Sequence, residues 1–246
     1  MNPVVSSPPS PRAAAIPALR LFGAPASVRR APGTITVFLC RTLSLVTAAA
    51  GLLLLAPVML AIALAVRLSS PGPIFYSQTR VGVDRRGPRP GGGAARRKVD
   101  YGGRLFRIYK FRTMRADPNA AVQVWARPDD DRITRVGRIL RRYRLDELPQ
   151  LWNVVRGDMN MVGPRPEQPN IFLSLREQIT DYPRRQRVLP GITGLAQVSQ
   201  PYDACVDDVR SKLRFDLDYI ERMSPLQDLM ILARTVPVVL LQRGGW

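Results

Sequence analysis

The chain has 246 residues, with 37 arginines and lysines against 19 acidic residues, a net charge of +18 and no histidine. That length supports one folded domain with a core plus an appended segment, and the charge calls for an anionic partner: nucleic acid, a phosphorylated substrate or an acidic membrane surface. The lack of histidine excludes imidazole acid–base chemistry and histidine-bound metal, while Cys40 and Cys205 match no zinc or redox spacing and read as thiols of a reducing compartment.

Residues 1–36 are rich in Pro, Ala, Ser and Arg without apolar periodicity, the composition of a disordered basic tail. From Thr42 to Val66 no charged residue occurs. A helix over that stretch is about 37 Å long, enough to cross the hydrocarbon core, and it starts too deep and runs too long for a secretory signal. Pro57 lies inside it, and both flanks are basic: Arg29, Arg30 and Arg41 before, Arg67, Arg80, Arg85 and Arg86 after. Basic residues on both sides leave the positive-inside rule without a direction. Two topologies satisfy this pattern: a proline-kinked span, or a helix that enters one leaflet, bends at Pro57 and returns, with both flanks cytoplasmic.

Beyond Pro71 the pattern is that of a mixed domain. Pro73–Tyr76 and Leu105–Phe111 alternate like strands, and Arg85–Gly103 between them reads as a Gly-, Pro- and Arg-rich loop. Ile133, Val136, Ile139, Leu140 and Tyr143 recur at helical spacing, with Arg135, Arg138 and Arg142 on the other side, solvated or near lipid headgroups. Arg210–Ile220 and Leu226–Leu241 both look helical. The second is apolar but broken by Arg234 and Pro237, and suits either the membrane interface, with Trp246 at headgroup depth, or the core.

The chemistry concentrates in Leu145–Asn153, where Asp146 and Glu147 stand between a run of arginines and Pro149. Taken alone, Asp146 is equally an N-cap ahead of a helix opened by Pro149. Adjacent acids among cations point instead to phosphate chemistry. Lys110 and Arg112 fall on one face of an extended segment. Arg165 sits between Pro164 and Pro166, which stiffen its backbone. Pro190–Val198 reads as a turn-rich loop with amides available to an oxyanion, and Phe215–Ile220 adds carboxylates on a helix. Adjacent helical residues diverge by about 100°, so Asp146 and Glu147 can converge on one cation only at a helix start, where Pro149 puts them.

In this order, Gln78–Gly82, Lys110–Met114, Leu145–Asn153, Gly157–Glu167, Pro190–Val198 and Phe215–Ile220 resemble the monotopic phosphoglycosyl transferases, bacterial sugar transferases that start lipid-linked glycan assembly. The resemblance runs from about Val37 to Leu241. It implies transfer of a phospho-sugar from a nucleoside diphosphate sugar, a UDP-sugar by expectation, to polyprenyl (undecaprenyl) phosphate, with release of the nucleoside monophosphate. It makes Asp146 the nucleophile and Glu147 its dyad partner, both also ligands of Mg2+, and gives Arg141 and Arg165 to phosphate. Lys110, Arg112 and Arg80 are further phosphate-binding candidates, and Asp216, Asp158 and Thr193 are candidates for contacting substrate or for supporting the site.

The expected fold is α+β and mainly α-helical: a tail over 1–36, a re-entrant membrane helix over 37–70 broken at Pro57, and a small cytoplasmic catalytic domain over 71–246 with interfacial helices and a short β element. The expected setting is the cytoplasmic face of the bacterial inner membrane, with a nucleotide sugar, polyprenyl phosphate and anionic lipids as partners, no nucleic acid, and room for a homo-oligomer. Ala56 replaces a serine frequent in the family before Pro57, the Arg85–Gly103 loop is longer than usual, and the chain reads as a minimal member. Two rivals compete with this reading. A basic lipid or nucleic-acid binder is opposed by the apolar run and the absence of a recognition motif. A scaffold without activity is opposed by intact Asp146, Glu147, Arg141 and Arg165.

Overall fold

The computed structural model describes residues 32–84, 101–115, 130–200 and 206–240. Most of the expected tail and of the Arg85–Gly103 loop, together with Cys205 and Trp246, lies outside them. Among the described residues the chain is mainly helical, with two small sheets.

The first element, α1, is an uninterrupted helix over Thr34–Ser69 that carries Pro57 in its interior. Its 36 residues extend about 54 Å. One stripe at three- and four-residue spacing faces the domain: Cys40, Ser44, Ala48, Ile62 and Val66 are buried, Gly51 faces Leu151 and Met59 packs beside Ile62. The opposite side is equally apolar and uncovered, with Phe38, Leu53, Leu54, Leu60, Leu64 and Leu68 all more than half exposed. A helix apolar all round needs a second apolar surrounding. Covering six such side chains is worth on the order of 10 kcal/mol, which favours lipid over water on that face.

The charged residue at the edge of the apolar run has a structural task. Arg41 donates from Nη1 to the Met159 carbonyl (2.7 Å) and from Nη2 to the Val154 carbonyl (2.6 Å), fastening α1 to the domain. Ser44 Oγ adds to this by accepting from the Met161 amide.

Strands β1 (Phe75–Val81) and β2 (Leu105–Phe111) form an antiparallel hairpin in which Tyr76 opposes Lys110 and Arg80 opposes Phe106. β1 begins two residues later than Pro73 and takes in Gln78–Val81. Helix α2 (Arg135–Arg142) is capped by Thr134, whose Oγ1 accepts from the Gly137 amide at 2.9 Å. A Cβ at Gly137 would run into the Thr113 carbonyl oxygen, so the glycine lets α2 lie directly on the segment after β2. The expected apolar face of α2 is partly corrected: Leu140 is buried, but Ile139 and Tyr143 are 57% and 37% exposed. The arginine-bearing helix therefore keeps apolar side chains outside, an arrangement suited to headgroup depth.

Helix α3 (Gln150–Arg156) follows Pro149 and ends at Gly157, whose φ of 86° suits glycine. Two short parallel strands, β3 (Asn160–Val162) and β4 (Gly191–Thr193), flank α4 (Pro169–Gln178) in sequence. The chain closes with α5 (Leu195–Ser199), α6 (Val206–Arg222) and α7 (Pro225–Leu240). Pro190–Val198 is thus a strand and a short helix rather than an open loop. Its Gly191 amide is already bonded to the Pro164 carbonyl and its Val198 amide to the Gly194 carbonyl. Successive parts of α1 enter three cores, Cys40 with Tyr219 and Ile231, Ala48 with Leu151 and Met159, and Ile62 and Val66 with Phe111 and Leu140.

Candidate active site

The dyad lies on a single 3-10 turn, Leu145–Glu147, between α2 and α3. Arg144 immediately before it has φ 54° and ψ 21°, and among the described residues it is the one non-glycine in the left-handed region. Holding an arginine there costs about 1–3 kcal/mol and persists only where the surroundings dictate it. The reversal turns the chain sharply out of α2, and the tight turn that follows carries two consecutive carboxylates. Asp146 caps neither helix through its side chain. Both acids are buried, each 8% exposed.

Three separate elements bring cations to this pair. Lys110 on β2 places Nζ 2.6 Å from Glu147 Oε1 and 3.6 Å from Asp146 Oδ2. Arg165, in the Pro-Arg-Pro segment after β3, donates from Nη2 to the same Glu147 Oε1 at 2.8 Å. Arg141 on α2 adds its charge to Asp146 while its Nε donates to Thr113 Oγ1 at 2.9 Å. Asn153 locks the β2–α3 geometry, accepting from the Tyr109 amide and donating to the Arg107 carbonyl.

The two acids are driven in opposite directions. Burial pushes the Asp146 carboxyl up, reinforced by the neighbouring Glu147 charge and only partly offset by Lys110. Burial also opposes ionisation of Glu147, but Arg165 and Lys110 outweigh it and hold that carboxyl well below the usual range. Adjacent acids separated in this way are suited to different roles: Glu147 is held as the anion that anchors the cations, and Asp146 is the more basic of the two. The ionised Asp146 population is present above its raised pKa and is lost as pH falls through it. Lys110→Met removes a cation that lowers that pKa, so the acid limb of kcat/KM is expected to move to higher pH, measured across a pH series in detergent.

Other candidates have structural partners. Arg112 is buried at the C-terminal end of α1, where Nη2 donates to the Ser70 carbonyl (2.6 Å) and Nη1 to the Pro71 carbonyl (2.9 Å). Helix ends attract cations because their last carbonyls lack partners, and this clamp at the end of α1 is where the structure places Arg112, one of the phosphate-binding candidates. Arg80 donates to the Pro166 carbonyl (3.2 Å) and to Gln78 Oε1 (2.7 Å), supporting the Arg165 segment. Asp158 pairs with Arg156 at 3.4 Å. Thr193 Oγ1 lies 2.8 Å from Thr235 Oγ1.

Asp216 meets a residue that the sequence did not single out. Buried Arg185 donates from Nη2 to the Arg165 carbonyl at 3.0 Å, pairs with Asp216 Oδ2 at 2.7 Å and donates from Nη1 to Tyr182 Oη at 2.6 Å. The expected carboxylate helix therefore acts behind the site: Asp216 holds Arg185, and Arg185 holds the backbone that presents Arg165. The run Tyr182–Arg187 carries three arginines, and nothing in that spacing marks Arg185 as the inward one.

A buried acid pair with opposed pKa shifts, ringed by Lys110, Arg141 and Arg165, in a domain packed on a helix with an uncovered apolar side, suits an anionic substrate. The sequence profile described as bacterial sugar transferase matches residues 35–242. The chain belongs to the bacterial sugar transferases. One family relative, the UDP-N-acetylgalactosamine-undecaprenyl-phosphate N-acetylgalactosaminephosphotransferase of Aeromonas hydrophila, is 38% identical over 87% of this chain and 46% of its own length. A second, the UDP-glucose:undecaprenyl-phosphate glucose-1-phosphate transferase of Caulobacter vibrioides, is 42% identical over 81% of this chain and 69% of its own length. The exopolysaccharide production protein ExoY of Sinorhizobium fredii is 34% identical over 84% of this chain and 87% of its own length. This sugar transferase thus spans about half the length of the Aeromonas relative and most of the ExoY protein.

Proposed function

We propose that this chain transfers a phospho-sugar from a UDP-sugar to undecaprenyl phosphate, through a covalent phospho-sugar on Asp146, as the first membrane step of exopolysaccharide assembly. The observation that carries this reading is the geometry of the dyad: two adjacent buried carboxylates on one turn, with Lys110 Nζ 2.6 Å from Glu147 and 3.6 Å from Asp146, and Arg165 Nη2 2.8 Å from Glu147. UDP-sugar and undecaprenyl phosphate are the substrates named for the Aeromonas and Caulobacter relatives.

In the first displacement an Asp146 carboxylate oxygen attacks the phosphorus that bears the sugar. The bond from that phosphorus to the bridging oxygen breaks, and UMP leaves with the electron pair. In the second, a phosphate oxygen of undecaprenyl phosphate attacks the same phosphorus, the acyl-phosphate bond breaks and Asp146 returns as carboxylate. Neither step needs an imidazole base, consistent with a chain that has none. An anionic nucleophile approaching an anionic phosphoryl group needs preplaced positive charge, which Lys110, Arg141 and Arg165 supply. Splitting the reaction lets the water-soluble product depart before the lipid arrives.

Asp146 and Glu147 would hold Mg2+. Among the described residues no group of three acidic or thiol side chains gathers, and two carboxylates on one turn suit a cation that takes its remaining oxygens from diphosphate and water. When bound, the ion supplies further charge neutralisation at the phosphates.

The reading places the catalytic domain on the cytoplasmic face of the inner membrane, with α1 re-entrant rather than spanning. The domain-facing stripe from Cys40 to Val66 runs along both halves of α1, which supports a helix whose two ends stay on the same side. Single cysteines placed in the tail and in the catalytic domain, on a background without Cys40 and Cys205, are expected to resist an impermeant reagent in intact cells. Labelling of the tail alone would establish a conventional span.

The reaction itself is tested by incubating the purified protein with UDP-glucose and UDP-N-acetylgalactosamine without acceptor. One UMP per active protein is expected with the productive donor, followed by steady turnover once undecaprenyl phosphate is added. UMP release that strictly requires the lipid would contradict the covalent route.

A further inference from the structure

One side of α2 belongs to the proposed site, and the other does not. On the inner side Leu140 is buried with Ile62 and Val66 of α1 and with Phe111, Gly137 lies against the Thr113 carbonyl, and Arg141 adds its charge to Asp146. The outer side is a stripe at three- and four-residue spacing: Arg135, Arg138, Ile139, Arg142 and Tyr143, all exposed. The helix itself contains no acidic residue.

The composition of that stripe selects its partner. Its guanidinium groups are balanced by no carboxylate on the same helix, which calls for an anion. Arg135 stands in the first turn, at the positive end of the helix dipole, where a cation is unfavourable unless an anion lies close. A soluble anion or a nucleic-acid backbone would leave Ile139 in water. A bilayer surface takes Ile139 and the Tyr143 ring into its acyl boundary while the arginine side chains reach back to the phosphates. The stripe also adjoins the uncovered face of α1. Tyr143 lines one cavity with Gly51 and Leu55, and Leu64 and Leu68 are exposed on the same turns of α1 as Ile62 and Val66, which pack on Leu140.

We infer that the outer stripe of α2 docks anionic phospholipid headgroups and that this docking steadies the turn bearing the dyad, so the protein works faster in an acidic bilayer than in a neutral one. The helix has 8 residues, too few to be stable by itself in water, and its hold on the domain is the single buried side documented above. It runs through Tyr143 directly into left-handed Arg144 and the Leu145–Glu147 turn. Fixing α2 from outside therefore restrains both Arg141 and the strained residue that orients the two acids. The rate effect rests on the transferase reading, whereas the docking is measured without it.

The test uses the whole protein in nanodiscs. In phosphatidylcholine discs, energy transfer from its tryptophans to trace dansyl-phosphatidylglycerol is expected to exceed transfer to dansyl-phosphatidylcholine about twofold or more. The triple variant Arg135→Gln, Arg138→Gln, Arg142→Gln is expected to lose more than half of that excess. A control with Arg187→Gln, Arg210→Gln and Arg214→Gln, exposed arginines outside α2, is expected to keep it. The rate of acceptor-free UMP release at saturating donor involves no lipid acceptor. It is expected to rise about fivefold or more in parent and control when phosphatidylglycerol replaces a third of the lipid, and to stay within about twofold in the triple variant. Should the triple variant fail to fold, Arg138→Gln alone is expected to lose part of both responses. Unchanged transfer in the α2 variants, an equal loss in the control, or release indifferent to phosphatidylglycerol would overturn the proposal. Absence of UMP release from the parent in either disc counts against the covalent transferase reading, and the transfer measurement then decides the docking.

Discussion

Asp146→Asn is expected to abolish acceptor-free UMP release and to lower turnover by more than about 10³-fold, the order lost when a covalent nucleophile is removed. The substitution keeps the shape of the side chain and deletes the nucleophilic anion. It also removes one of two adjacent negative charges from a buried turn, so the folded protein should be at least as easily isolated as the parent. Membrane association and thermal unfolding measured alongside activity separate chemistry from folding. Near-normal rates in a well-folded Asp146→Asn protein would end the covalent proposal at this residue.

Arg165→Ala is the second large effect. It deletes a charge-assisted bond to Glu147 and, on the proposed reaction, a cation for the incoming phosphates, and a bond of that kind contributes about 1.5–3 kcal/mol, hence an expected loss of roughly 10–100-fold in kcat/KM. A further readout distinguishes this role from simple packing. With Arg165 gone, burial of Glu147 is opposed mainly by Lys110, so its pKa rises and protonation reaches further up the pH scale. Activity should therefore fall away at higher pH than in the parent. Arg165→Lys, which keeps the charge but not the planar fork, should recover part of the rate and restore the acid limb. A uniform loss across pH that tracks loss of folded protein would make Arg165 structural.

The sequence made the dyad, Lys110 and Arg165 legible because each lies in a short segment whose own chemistry fixes its geometry. Alternation positions Lys110 on a strand, flanking prolines stiffen Arg165, and Pro149 marks the start of α3. The acids were not placed in the helix itself but on a 3-10 turn ahead of it, and the left-handed Arg144 that sets up this turn gives no sign in the sequence, where glycine or asparagine would have been the cue. Arginine proved the least readable residue. Arg41, Arg112 and Arg185 all direct their guanidinium groups onto backbone carbonyls far along the chain, and a residue type that serves lipid, phosphate and helix ends alike does not declare its partner through its neighbours. Ile139 and Tyr143 failed for a related reason: helical spacing identifies an apolar side without saying whether protein or bilayer covers it.

The stripe along α1 bears on how the protein is made. α1 precedes every one of its packing partners in chain order, and Leu151, Tyr219 and Ile231, which close on it, are synthesised later. The domain that follows α1 cannot complete its cores until that helix is in place with its domain-facing stripe turned inward. A fragment starting after Ser70 would leave the cavities of Cys40, Ala48, Ile62 and Val66 open in three places. Trimming the hydrophobic end to obtain a soluble enzyme therefore removes part of the interior, and settling α1 in its apolar surroundings becomes a step of folding.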